Sequence, residues 1–456
     1  MSAKRPYGGL RGASTGPHTI RLVALREQST QSSLRENLRR IGPGIVTGAS
    51  DDDPSGIATY SQAGAQFRYG MLWLALLTFP LMAAVQEICD RTALATGKSL
   101  GTIASDHFPR WARVVTAVLV AALLIANALN IAADLVAIGA GINLIWGGPI
   151  SIYSLLAGLI IVAVVMSGSF KAVSLIFKLL CLALLTYLAV LFFIDVHWKE
   201  VLGSALVPHV TFSKDYLALM VAVLGTTISP YLFFWQSSYR VEEMQDEGST
   251  DEAVPLAERL PEEQRHEERI ARTDVIGGMA FSNVVMFAVI LATASVLGGK
   301  GLTINSAADA AAALTPVAGH SASLLFAFGF IGSGFLAIPV LAGSGAAGLA
   351  GLLHLDFGFS AKTKQAPVFY GLVGLGIVGG MVLTLLHVNP IRLLIFVALV
   401  NGLAAAPFLV LVMVIARRED IMGAARNGRW ANILGWATVS VMGVSAVALI
   451  ATGGGL

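Results

Sequence analysis

Charged residues are scarce in this sequence of 456 residues. Only 13% are Asp, Glu, Lys or Arg, against about 25% in an ordinary soluble domain, while 55% are hydrophobic. Apolar runs of about 20 residues, long enough to cross a bilayer, recur along the whole chain. This composition excludes a soluble globular domain and predicts an all-α polytopic membrane protein.

Other features are missing as well. There are only two cysteines, Cys89 and Cys181, and both lie in apolar runs, which excludes a disulfide framework. We find no P-loop, HExxH or nucleophile motif, so we expect neither an enzyme nor a cofactor. The polar, basic residues 1–41 lack the apolar core of a signal peptide, and nothing indicates a nucleic-acid partner. The expected partners are the bilayer and a small solute; protein partners are not predicted.

The apolar runs predict eleven membrane helices. They cover residues 43–67 (broken), 71–94, 113–145, 149–168, 173–195, 216–239 (broken), 273–298, 320–350, 367–387, 391–416 and 430–452. If the N-terminus is cytoplasmic, about 25 of the 30 lysines and arginines fall on the inside. We therefore predict a cell inner or plasma membrane protein with an extracellular C-terminus.

The first broken run, residues 42–64, contains three consecutive acids followed by a proline. An acid at mid-bilayer costs about 2.5–3.5 kcal/mol, so Asp51, Asp52 and Asp53 together need a function or a partner. Pro54 ends the helix and leaves free carbonyls beside carboxylates, which predicts a cation site. We expect Asp53 to be the primary ligand. Asp51 and Asp52 either extend the site and the ion pathway, or face solvent or cap a half-helix.

A second break lies in the sixth run, where Thr226 and Ser229 precede Pro230. Interruptions at corresponding positions of two halves indicate a transporter's midplane site. Pro54 and Pro230 therefore predict two inverted five-helix repeats, residues 42–195 and 213–416, after a tail (1–41) and before an eleventh helix (430–452). The connection 240–272 carries eleven acids and five arginines. It is either a solvated linker, which we favour, or a regulatory segment, and 261–272 has a polar helical pattern.

Several motifs resemble the Nramp family of divalent-metal transporters. They begin at Gly42-Pro-Gly, Gln62-Ala-Gly-Ala-Gln-Phe, Ala133-Asp-Leu, Leu224-Gly-Thr-Thr-Ile-Ser-Pro and Arg272-Thr-Asp-Val-Ile-Gly. The resemblance covers the chain from about residue 35 onward. It implies a LeuT-like fold of eleven transmembrane helices, with helices 1 and 6 unwound, that works by alternating access.

Two departures from the family pattern concern the metal ligands. The family's Asp-Pro-Gly-Asn reads Asp53-Pro-Ser-Gly56 here, and its Met-Pro-His reads Ser229-Pro-Tyr231. The expected site has only oxygen ligands, from side chains or backbone carbonyls, at Ser50, Asp53, Gly56, Thr226 and Ser229. Such ligands suit Mg²⁺ and Mn²⁺, and Mg²⁺ often keeps several of its waters. This pattern resembles the Nramp-related magnesium transporters.

A third departure concerns proton coupling. Asn127, Asn130 and Asp134 share one helical face, but the family's second acid there is Ala137. The histidines of the sixth helix are replaced by Tyr231 and Gln236. Most of a proton relay is therefore missing, and we expect uptake of a partly or fully hydrated ion without proton coupling. Asp134 is either structural or part of an ion pathway that also includes Tyr231, Asn127 and Asn130.

Three alternatives remain open from the sequence. The first is a proton-coupled Mn²⁺/Fe²⁺ transporter of the same family. The second is a non-transporting sensor on the same scaffold, with 240–272 as its output. The third is an organic-solute carrier, which the three aspartates disfavour because they oppose a carboxylate substrate.

Overall fold

The computed structural model describes residues 43–167, 176–177, 180–247, 253–298, 307–385 and 390–451. These residues form helices joined by short connections, with no β-strand among them. The predicted N-terminal tail, 1–41, lies outside the described residues.

The first half of the chain begins with the predicted broken helix. Its helices are α1 (Pro43–Asp51), α2 (Pro54–Phe67), α3 (Trp73–Thr96), α4 (Leu100–His107), α5 (Arg110–Trp146), α6 (Ile150–Met166), α7 (Leu185–Val190, flanked by 3₁₀ turns Leu182–Leu184 and Leu191–Phe193) and α8 (Trp198–Leu206).

The second half begins with the other broken helix. Its helices are α9 (Lys214–Thr227), α10 (Pro230–Glu247), α11 (Pro261–Leu297), α12 (Ala307–Leu352), α13 (Pro367–Thr384), α14 (Pro390–Arg417), α15 (Glu419–Met422) and α16 (Arg429–Ala451).

The described helices confirm the prediction of eleven membrane segments. Eight segments are long and apolar enough to cross a bilayer, with α9 and α10 counted as one. The segments Ile150–Met166 and Leu182–Phe193 are shorter but apolar, and the broken pair α1–α2 completes the set. The long third and eighth runs form single helices, α5 and α12.

The polar connection between the sixth and seventh segments is shorter than the sequence indicated. Helix α10 continues to Glu247, and its side chains Arg240 and Glu242 are buried. The predicted polar helix 261–272 is confirmed, but it is continuous with the seventh membrane segment as the first third of α11.

Helix α1 packs against α11 through glycines whose backbones almost touch. A Cβ added to Gly278 would lie 1.9 Å from the carbonyl oxygen of Gly44, and one added to Gly48 would lie 2.1 Å from the carbonyl oxygen of Gly278. Small residues allow such close approach between membrane helices. The broken helix is therefore fixed to α11 by backbone contact.

We predict that Gly278→Ala destabilises the protein by about 1–3 kcal/mol, because the new methyl group has no room between two backbones. The matched control is Gly277→Ala, where an added Cβ has no neighbour within 4 Å. The control should be neutral or stabilising by up to about 1 kcal/mol, since alanine favours helix. Thermal unfolding in detergent compares the two variants; equal melting temperatures would contradict the predicted packing.

Candidate metal site

The first break is organised by the side chain of Asp53. This residue has extended backbone geometry between α1 and α2, and its Oδ1 accepts hydrogen bonds from the Gly56 amide (2.7 Å) and the Ser55 hydroxyl (2.6 Å). Pro54 occupies the first turn of α2, where its missing N–H is not needed. Asp53 is thus the N-cap that lets the chain restart as a helix inside the protein.

At the second break, the side chain that bonds to the free backbone groups is a hydroxyl, whereas at the first break it is a carboxylate. Helix α9 ends at Thr227, and Pro230 begins α10. The Ser229 hydroxyl turns back and donates to the carbonyl oxygens of Gly225 and Thr226, each at 2.8 Å. The Ser229 hydroxyl therefore contacts the Thr226 carbonyl, which Pro230 leaves without an N–H donor, and the neighbouring Gly225 carbonyl in the last turn of α9.

Two contacts join the breaks to each other. Ser55 Oγ, in the first turn of α2, lies 3.3 Å from Thr226 Oγ1 near the end of α9. In the other half of the site, the Tyr231 hydroxyl in the first turn of α10 donates to the Ser50 carbonyl near the end of α1 (2.9 Å). Each contact joins the start of one half-helix to the end of another, as expected of two equivalent broken helices.

The carbonyl ends of α1 and α9 are brought together at Gly56. A Cβ on Gly56 would lie 3.3 Å from both the Asp51 carbonyl oxygen and Thr226 Oγ1. Helix C-termini carry partial negative charge, so two of them beside the Asp53 carboxylate favour a cation. Gly56 stands where the family pattern has asparagine, and these contacts leave little free space for a side chain there.

The other two acids of the first break differ from Asp53 and from each other. Asp51 Oδ2 accepts a hydrogen bond from the Ser282 hydroxyl of α11 (2.9 Å). Asp52 accepts no hydrogen bond of normal geometry from a described residue. All three acids are at most 1% exposed.

Helix α5 contributes the polar face that the sequence predicted. Asn130 Nδ2 donates to Asp53 Oδ2 (2.7 Å), which places this asparagine directly at the break. Asn127 instead donates to the Leu341 carbonyl of α12 (2.8 Å), away from the break. Asp134 is fully buried, and neither of its oxygens accepts a hydrogen bond from a described residue.

Oxygen is the ligand type at the meeting point of the two breaks. Asp53 keeps free lone pairs, since a carboxylate offers about four acceptor positions and three are used. No group of three or more His, Cys, Asp or Glu suited to a metal occurs among the described residues. The nearby thioether, Met286, contacts the hydroxyls of Thr78 and Thr227 at 3.9 and 3.8 Å. These donors fit a hard divalent cation.

A buried charged network that the sequence did not reveal lies along α1 and α10. Asp90 of α3 accepts hydrogen bonds from Gln236 and Arg240 of α10, both at 2.7 Å. Gln236 also accepts from the Thr47 hydroxyl of α1. Asp274 of α11 accepts from the Gly44 amide of α1 (2.6 Å) and lies 3.9 Å from Arg240. We name Thr47, Asp90, Gln236, Arg240 and Asp274 the charged network.

The structure thus brings together most of the predicted site residues and adds some. Asp53, Ser50, Gly56, Thr226, Tyr231 and Asn130 surround the paired breaks, with Pro54 and Pro230 beside them. The sequence analysis did not predict Ser55 or Ser282 as site residues. For Ser55, the signal in the sequence was its position two residues after an acid that caps a helix. Asp90 could have been noticed as an acid within an apolar run.

Comparison with known proteins agrees with this architecture. The divalent metal cation transporter MntH of Klebsiella pneumoniae (strain 342) is 24% identical over 425 residues, covering 92% of this chain and 95% of that protein. The protein of the same name from Deinococcus radiodurans is 24% identical over 442 residues, covering 95% and 92%.

Solved structures show the same fold. The manganese transporter of Eremococcus coleocola superposes with a TM-score of 0.73 at 17% identity, covering 93% of this chain and 88% of that one. Mhp1, a nucleobase-cation-symport-1 family transporter, superposes with a TM-score of 0.58 at 13% identity, covering 90% and 93%. The predicted LeuT-like fold is confirmed. Residues 44–452 match the family described as "Natural resistance-associated macrophage protein-like", and the chain belongs to this Nramp family.

Proposed function

We propose that this protein is a secondary transporter that takes up Mg²⁺, and also Mn²⁺, by alternating access and without proton coupling. The observation that carries the proposal is the donor set at the paired breaks. Asp53 is a carboxylate fixed by three hydrogen bonds, and the other oxygens at the paired breaks are hydroxyls and backbone carbonyls.

Divalent-cation transport itself is supported by the family and by its members' names. The curated relatives are named as divalent metal cation transporters and one structural neighbour as a manganese transporter, none as an enzyme. Those names favour Mn²⁺ and make it the competing principal substrate. The preference for Mg²⁺ is supported by Ser229 and Tyr231, which supply oxygen where the family pattern has sulfur and imidazole.

A hydrated ion is supported by the small number of charged ligands. Mg²⁺ sheds water reluctantly and is usually held by one or two carboxylates with several waters retained. Asp51 and Asp52 follow each other at the same break, and neither oxygen of Asp52 accepts a hydrogen bond from a described residue. In this proposal Asp53 binds the ion and the neighbouring acids orient its water.

The absence of proton coupling is supported by what surrounds Asp134. Asn130 and Asn127 precede it on the same face of α5, and amides do not titrate. None of the eight histidines in the sequence lies in the two broken helices or in α5. With no histidine in these helices and Ala137 in place of the second acid of α5, the family's relay is incomplete, so the ion gradient and membrane potential drive uptake.

We predict that Asp53→Ala reduces metal uptake to the level of protein-free liposomes, because the only carboxylate fixed by three donors at the breaks is lost. Asp53→Asn is the matched variant, since asparagine is also a good N-cap but carries no charge. It should fold with the wild-type melting temperature and still fail to transport. Full activity of either variant would remove the site from this break.

We predict that liposomes containing the protein take up Mg²⁺ and Mn²⁺ in competition with each other, with no change of lumenal pH. Fluorescent indicators for each ion and for pH follow the three quantities at once, and Ca²⁺ serves as a third substrate. Strong Mn²⁺ uptake without Mg²⁺ competition would contradict the Mg²⁺ assignment. Acidification driven by metal would contradict uncoupled transport while leaving divalent-cation transport intact.

We predict that Ser229→Met raises the ratio of Mn²⁺ to Mg²⁺ uptake by about tenfold, equivalent to roughly 1.4 kcal/mol. A thioether favours the softer ion, and the bulkier side chain leaves less room for a hydrated one. The control is Ser229→Ala, which removes the two hydrogen bonds to Gly225 and Thr226 without adding sulfur. An unchanged ratio in the methionine variant would show that position 229 does not select the ion.

A further inference from the structure

A cavity of about 770 Å³ lies at one end of the bundle, between α3, the first half of α11 and the start of α16. It is separate from the paired breaks, since none of the residues assigned there lines it. Six arginines line it: Arg91, Arg265, Arg269, Arg272, Arg426 and Arg429.

The charges in this cavity do not cancel. Arg91 is paired with Glu87 (2.9 Å) and Arg426 with Glu419 (2.7 Å). The acid Asp90, which also lines the cavity, is paired with Arg240, which lies outside the cavity and also contacts Glu243. The remaining arginines are Arg265, Arg269, Arg272 and Arg429, which make no ion pair with a described residue. Against these four positive charges the lining offers one further acid, Glu268.

On each of the three helices that line the cavity, the lining residues are charged at one end of the cavity and apolar at the other. On α11, Arg265, Arg269, Arg272 and Ile276 follow one another at intervals of three or four residues and share one face. The arginines belong to the polar part of this helix, and Ile276 lies in its membrane segment.

The other two walls show the same gradient. On α3 the lining runs from Phe79 and Ala83, within the membrane segment, to Arg91 near the helix end. On α16 it runs from Arg429 to Leu434. Trp430 beside it is 74% exposed, as is common for tryptophan at the boundary between lipid and water.

We propose that this cavity binds an anionic phospholipid of the adjacent leaflet. The phosphate would lie among Arg269, Arg272 and Arg429, and an acyl chain would run along Phe79, Ala83 and Leu434. Basic pockets between membrane helices on the cytoplasmic side are suited to anionic headgroups. A water-soluble phosphate would use only the arginine end and would leave the apolar walls without a role.

The site also has a structural consequence. Its lining includes Asp90 and Arg91, and Asp90 belongs to the charged network that contacts α1 and α10. A lipid bound here therefore contacts α3, α11 and α16 at once and lies beside the groups that hold the broken helices in place.

The test is native mass spectrometry of the purified full-length protein with phosphatidylglycerol, phosphatidylcholine or inorganic phosphate, with melting temperatures recorded in parallel. We expect phosphatidylglycerol to bind and raise the melting temperature, and the other two probes to do neither. The triple variant R269Q/R272Q/R429Q should lose at least about tenfold in phosphatidylglycerol affinity, because each basic side chain near an anionic lipid contributes several-fold.

The matched control is R110Q/R113Q/R417Q, which removes three exposed arginines that do not line the cavity. It should bind phosphatidylglycerol as the wild type does. Equal binding by both triple variants would overturn the site, and equal binding of phosphatidylcholine would overturn the preference for an anionic lipid. Equal stabilisation by inorganic phosphate would overturn the lipid in favour of a soluble anion. All three positions of the R269Q/R272Q/R429Q variant, two on α11 and one on α16, are exposed. Single variants serve if the triple variant does not fold.

Discussion

The structure depends on keeping a carboxylate and two interrupted helices inside a membrane protein. A helix end placed in lipid leaves N–H and C=O groups without partners, at a cost of several kcal/mol each. Here Asp53 caps α2, Ser229 satisfies the end of α9, and Tyr231 reaches the end of α1. These side chains satisfy the breaks locally, so the breaks persist at full burial. After these hydrogen bonds are made, oxygen atoms with free acceptor capacity remain at the breaks, and a hard cation requires such ligands.

The surrounding helices hold these breaks in position from three directions. Glycine contacts fix α1 to α11, Asn130 fixes Asp53 to α5, and the charged network fixes α1 and α10 to α3. A buried charge with its partner removed is strongly destabilising, so Arg240 and Asp90 depend on one another. In the proposed alternating-access cycle, any movement of the half-helices would break these contacts. The proposed lipid cavity adjoins the same set of contacts, at Asp90 and Arg91.

In the proposed function, ion selectivity follows from which atoms the two breaks expose. The first break presents one fixed carboxylate with two further acids, and the second presents only neutral oxygens. Gly56 lets the ends of α1 and α9 approach closely, so the family's asparagine could return only if its neighbours shifted. The Mg²⁺ proposal rests on the loss of sulfur and imidazole, which occurs beside this tight packing around Gly56.

The sequence by itself determined the membrane class, the number of membrane segments, the two proline breaks and the central place of Asp53. Those features follow from local rules: hydropathy over a helix length, the missing N–H of proline, and the cost of a buried acid. Only the tertiary structure decided that Asn130 contacts Asp53 while Asn127 contacts α12, that Ser55 joins the two breaks, and that Arg240 is buried. These contacts join residues far apart in the chain, and no local pattern specifies which of several polar residues on one helical face meets which partner.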